Sequence, residues 1–125
     1  SGYQQPKDYY QISDKKVTEN EAVYSVSLNA ACEVYKGHFP GEPISPGVCN
    51  IQMIKECAED FLGMETMLSC VQQCRFTTLI TPVVHPQVEI KLQITDNDGE
   101  HAKLRAFIGK GEEVYLDLKA ELTLL

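Results

Sequence analysis

No stretch of this sequence approaches the roughly 18 consecutive apolar residues that a membrane-spanning helix needs, so a helical transmembrane span is not expected. The N-terminus, SGYQQPKDYYQ, lacks the apolar core of a secretory signal. A cytoplasmic location is expected, with residues 1–8 a flexible N-terminus whose opening Ser-Gly in place of Met reads as a cloning scar. Basic side chains are scarce: 11 Lys and Arg stand against 18 Asp and Glu, for a net charge of -7. No stripe of them offers a track for phosphates, which argues against nucleic acid as a partner. Cysteine pairs at C-x-x-C spacing are missing as well, and His38, His85 and His101 are scattered through different segments. Neither a structural metal nor a cofactor is expected from such spacing. Cys32, Cys49, Cys57, Cys70 and Cys74 fall in apolar-periodic segments and read as reduced, mostly buried thiols.

What is present has the composition of one globular domain: 125 residues, 43% hydrophobic and 23% charged. Period-two alternation marks strands at EAVYSVSL (21–28), QVEIKLQI (87–94), HAKLRAFI (101–108) and EVYLDLKAELTL (113–124). Short turns join the last three, which predicts an antiparallel meander. A further extended segment spans roughly 67–80 and stops at Pro82. The one convincing helix is predicted over 46–61, with Ser45 as N-cap, Pro46 at the first helical position and Gly63 as the stop. At helical spacing Val48, Ile51, Ile54, Ala58, Phe61 and Leu62 form a broad apolar face, and Cys49, Gln52 and Glu56 form a separate narrow stripe. A lone helix and an antiparallel sheet that must bury its apolar face give an α+β fold over 9–125.

The helix grows directly out of a rigid loop, GHFPGEPISPGV (37–48). This segment resembles the signature of the hotdog-fold 3-hydroxyacyl-[acyl carrier protein] dehydratases of fatty-acid synthesis, matching at Gly37, His38, Phe39, Pro40, Gly41, Pro43, Pro46, Gly47 and Val48. Weaker similarity extends to a strand pair ahead of the motif and to Arg75, Phe76 and Pro82 beyond it. The resemblance implies one long central helix wrapped by an antiparallel sheet. It implies dehydration of 3-hydroxyacyl thioesters, carried on acyl carrier protein or coenzyme A, to trans-2-enoyl thioesters. His38 would be the base at the α-carbon, and its near-neutral pKa suits that task. Gly47 would donate its backbone N–H to the thioester carbonyl, with Phe39, Val48 and Cys49 beside the substrate. A homodimer, or a higher assembly of dimers, is implied too, because the family places its second catalytic group across a dimer interface.

That second group is a helix carboxylate fourteen residues after the histidine, and here the position holds Gln52. An amide does not donate a proton as a carboxylic acid does, and general acid assistance is worth about 10² to 10⁴ in rate. Glu56 lies one helical turn further along the same stripe, where the family commonly carries glutamine, so it is the candidate for the displaced acid. Two other readings use the same loop and helix. A hotdog acyl thioesterase would let Gln52 orient a water, and a non-catalytic acyl-binding or partner subunit would keep the loop for its shape alone. His85 sits in the turn after Pro82 and is expected to be structural, and His101 to be exposed at a strand start. Cys49 would be a nucleophile only with a base beside it.

Overall fold

The computed structural model describes residues 3–36 and 43–125; the segment 37–42, with His38 and Phe39, lies outside the described residues. Among the described residues six strands surround one long helix: β1 (Tyr10–Val17), β2 (Glu21–Leu28), α1 (Gly47–Leu62), β3 (Thr66–Phe76), β4 (Gln87–Thr95), β5 (His101–Lys110) and β6 (Glu113–Leu124). They form a single sheet in the order β1-β2-β4-β5-β6-β3, antiparallel at every pairing. The meander read from the sequence is β4-β5-β6 at the centre. Its alternation is confirmed residue by residue, since Val88, Ile90, Leu92 and Ile94 of β4 and Leu116, Leu118, Ala120 and Leu122 of β6 are all buried.

The helix differs from expectation in its start and in its rotation. It begins at Gly47, with Pro46 in the N-cap position and no side chain capping it. Ser45 is occupied elsewhere: its hydroxyl pairs with the Tyr35 hydroxyl at 2.9 Å, and its backbone N–H donates to the Ile80 carbonyl. The C-terminal stop is as read, with Gly63 in the left-handed region at φ 70° and its N–H closing on the Glu59 carbonyl. The face turned to the sheet is Cys49, Asn50, Met53, Ile54, Cys57 and Ala58. Ile54 and Ala58 are buried as predicted, but Ile51, Phe61 and Leu62 are only half-buried and Val48 is 51% exposed. Four of the six residues on that face, Cys49, Asn50, Cys57 and Ala58, are short, a thiol behaving there as a small apolar group, and Ile54 is the one branched side chain among them. Met53, fully enclosed, fills the remaining gap, so Met53→Ala would cost about 2–5 kcal/mol.

Two strand expectations also shift. The extended segment 67–80 is β3 only as far as Phe76. Beyond it the chain leaves the ladder, and Thr77 N–H donates to the Tyr115 carbonyl. β1, whose sequence YQISDKKV shows no apolar alternation, is an edge strand exposed along nearly its whole length. Register with β2 holds it in place, through Lys15↔Tyr24 and Val17↔Ala22 among others. The thiols divide: Cys32, Cys49 and Cys57 are buried, Cys74 is half-buried and Cys70 is exposed.

Polar contacts fasten the helix to β1 and β2. Tyr24 donates its hydroxyl to Asp60 Oδ2 at 2.6 Å, and Lys15 Nζ sits 2.9 Å from the same oxygen. The Tyr24 hydrogen bond and then Lys15 hold the Asp60 carboxyl below its usual 3.8. A carboxylate depressed in this way stabilises the folded state above the unfolded pKa, and that contribution is lost as pH falls through the folded one. Tyr24→Phe is therefore expected to cost about 1 kcal/mol at pH 7, the low end for a bond to a charged group because the carboxyl is partly exposed. By calorimetry the gap from the parent should narrow between pH 4 and pH 2; a gap independent of pH would refute the assignment.

Candidate active site

The start of α1 opens onto a cleft of about 710 Å³ lined by Val34, Ile44, Gly47, Phe76, Leu79 and Ile80, with Ser45 and Asn50 among its few polar contributors. Three elements converge to form it: the chain entering the helix, the first helical turn, and the segment after β3. Gly47 lies beneath the Phe76 ring, and a Cβ built on it would stand 3.1 Å from the ring's tip. The absence of a side chain is what brings the backbone to the cleft wall. No described group accepts from the N–H groups of Gly47, Val48 and Cys49, and no acidic side chain lies in the first turn. Among the described residues, then, nothing neutralises the positive end of the helix dipole at the cleft, and it suits an oxygen that gains negative charge.

Gln52 and Glu56 are brought together. Gln52 Nε2 donates to Glu56 Oε2 at 3.0 Å, and the Tyr10 hydroxyl donates to Glu56 Oε1 at 2.7 Å. Burial, and then this bond to Glu56, push the Tyr10 phenol well above its usual pKa, so it remains a donor. The pair does not line the cleft that contains Gly47. At 3.6 residues per turn, Gln52 points about 140° around the helix from Gly47. Cys49, third of the stripe, is buried. Its Sγ lies 2.9 Å from the Tyr3 hydroxyl, its carbonyl accepts from Gln5 Nε2, and burial raises its thiol pKa. No base lies beside it among the described residues, and there its role is packing. Val48 faces solvent and lines nothing in the cleft.

His85 accepts from the Thr81 N–H through Nδ1 at 3.2 Å and lies 4.6 Å from the Tyr115 ring, a structural role as expected. His101 is exposed at the start of β5. What sequence reasoning missed is a chain of polar groups beneath the cleft. The Tyr9 hydroxyl donates to Asn50 Oδ1 at 2.8 Å, Asn50 Nδ2 reaches the Ser45 carbonyl at 3.5 Å, and Ser45 pairs with Tyr35. The signal was Asn50 itself, a polar residue one turn before Ile54 on the apolar side of the helix.

The chain matches the family model described as ApeI-like, ApeI dehydratase, over residues 14–116. It is 33% identical over 65 residues to the 3-hydroxyacyl-[acyl-carrier-protein] dehydratase FabZ of Levilactobacillus brevis, covering 46% of this chain and 43% of that protein. To the FabZ of Bacillus pumilus it is 28% identical over 112 residues, covering 84% and 75%. The chain spans 43% to 49% of the length of the first curated relatives it matches. Among solved structures, the dehydratase heterocomplex ApeI:P from Xenorhabdus doucetiae superposes with a TM-score of 0.70 over 90% of this chain and 96% of that one, at 19% identity, a likeness of fold. A helix wrapped by six antiparallel strands, an open first turn at Gly47 and a family match across most of the sequence agree: this chain belongs to the ApeI-like dehydratase family and has the hotdog fold.

Proposed function

We propose that this chain is a lyase that dehydrates 3-hydroxyacyl thioesters, carried on the phosphopantetheine of an acyl carrier protein or of coenzyme A, to trans-2-enoyl thioesters in fatty-acid or related acyl-chain synthesis. The observation that bears most of this reading is the apolar cleft at the first helical turn, where no described residue accepts from the Gly47 N–H, which suits a thioester carbonyl. In this reading His38 takes the α-proton, and Phe39 next to it in sequence contacts the substrate. The C–H electron pair forms the C2–C3 double bond, the C3–O bond breaks, and the hydroxyl leaves as water with a proton from a carboxyl group. Gln52 and Glu56 serve at that hydroxyl, Glu56 through a bridging water, since it lies one helical turn beyond Gln52.

Because Gln52 points away from its own chain's cleft, both groups reach one substrate only if a second copy supplies the pair. Two features support such a dimer. The free edge strand β3 exposes Met67 and Val71, and Val48, Phe76 and Leu79 are exposed around the helix start and the cleft. An exposed edge of this kind invites pairing edge to edge with its copy, and light scattering at micromolar concentration should give a dimer or a multiple of one. A stable monomer would sink the shared-site arrangement.

The chemistry is tested by hydration of trans-2-enoyl pantetheine thioesters, the reverse reaction. His38→Ala should abolish turnover with the melting temperature nearly unchanged. Glu56→Gln should lose at least about tenfold, the low end for a general acid, while Gln52→Glu retains or gains activity. A silent Glu56→Gln together with activity created only by Gln52→Glu would mark the natural chain as an impaired homologue. Hydrolysis of saturated acyl thioesters without hydration would make it a thioesterase.

A further inference from the structure

Asn50 is the most enclosed polar side chain of the cleft, 1% exposed, in a wall otherwise almost wholly apolar. A buried amide without partners costs about 1–3 kcal/mol, so its bonds should account for its presence. Two of them fix its orientation. The Ser45 carbonyl can only accept, so the amide nitrogen must face it, which leaves Oδ1 toward the Tyr9 hydroxyl at 2.8 Å. Ser45 is itself tied down, by its N–H on the Ile80 carbonyl at 2.7 Å and its hydroxyl on Tyr35. The second hydrogen on Asn50 Nδ2 has no acceptor among the described residues. Asn50 and Gly47 line the same cleft, and a helical side chain leans toward the turn N-terminal to its own Cα, which turns this amide toward the first turn, whose N–H groups have no acceptor among the described residues.

We propose that Asn50 is a second hydrogen-bond donor to the substrate's thioester carbonyl, paired with the Gly47 N–H, and that Tyr9 and Ser45 are positioning residues that hold its amide for that contact. The inference rests on the dehydratase reading and adds a residue to it. As the α-proton departs, charge gathers on the carbonyl oxygen. Two donors already oriented and shielded from water stabilise that oxygen more than they stabilise the neutral carbonyl, so they act on turnover more than on binding. Burial pushes the Tyr9 and Tyr35 phenols above their usual pKa, which keeps both hydroxyls protonated in the working range.

The test measures kcat and KM for enoyl thioester hydration in the parent, Asn50→Leu, Asn50→Asp and Tyr9→Phe, with melting temperatures alongside. Asn50→Leu is expected to lower kcat by about 10- to 100-fold with KM within about threefold, as the loss of one oxyanion donor does. Asn50→Asp, nearly identical in shape but without the donor, should lose at least as much, and it decides the matter if the leucine variant does not fold. Tyr9→Phe should lose less, about threefold or more, again in kcat. A folded Asn50→Leu or Asn50→Asp with kcat within twofold of the parent, or a loss confined to KM, overturns the proposal. A parent that hydrates nothing overturns the dehydratase reading instead. The Asn50 proposal, which rests on that reading, falls with it, whereas a hydrating parent with an unaffected Asn50 variant sinks the Asn50 proposal alone.

Discussion

Three tyrosine hydroxyls hold the helix in its groove. Tyr9 donates to Asn50, Tyr10 to Glu56 and Tyr24 to Asp60, at 2.8, 2.7 and 2.6 Å. The donors come from the start of the domain and its first two strands, and the acceptors are spread along α1 from its first turn to its last. Apolar burial holds a helix against a sheet but is non-directional, so it leaves sliding and rotation weakly specified. Directional bonds at three heights set both. Two of them end on carboxylates, where a bond is stronger than one between neutral groups, although partial exposure of Asp60 holds its bond to about 1 kcal/mol. The orientation of Gly47 toward the cleft, and of Gln52 away from it, follows from that fixed rotation.

The same constraint explains which parts of the structure were legible in the sequence. β2, β4, β5 and β6 were readable because each buries one whole face, so Tyr24, Val26 and Leu28, or Val88 through Ile94, had to alternate. β1 was not, because an exposed edge strand buries almost nothing and alternation has no reason to develop. The helix was legible in extent but not in rotation. Weighing branched aliphatics most heavily placed Val48 inside and Asn50 nowhere, whereas the face turned to the sheet carries mostly short side chains and one, Asn50, that a tyrosine reaches. A polar residue on a buried face becomes expected only once its partner is known, and the partner here is 41 residues away in sequence.

The loop and its consequences divide in a similar way. The glycine and proline spacing of 37–48 identified the family and placed the helix start to within one residue, because backbone requirements leave a strict imprint on residue type. The side-chain duties of the stripe leave a looser one. From sequence, Gln52 and Glu56 read as a carboxylate and a glutamine that have exchanged positions. In the fold they form a single hydrogen-bonded unit with Tyr10 as its third member, a residue that no spacing rule connects to either.

That unit bears on how an exchanged pair can remain useful. A catalytic carboxyl needs a proton partner and a fixed direction, and a surface glutamate has neither. Glu56 receives one bond on each oxygen, from a phenol and from an amide, so its side chain is confined although it is only half-buried. Gln52 gains as much from the contact. With its NH₂ group committed to a carboxylate, its amide oxygen is directed away from Glu56, as an acceptor toward whatever covers the stripe. An acceptor at that point suits a substrate hydroxyl or a water, both of which can donate, and fits poorly with an apolar surface, which would leave the oxygen unpaired. The pair is thus chemically matched to an oxygen-bearing occupant.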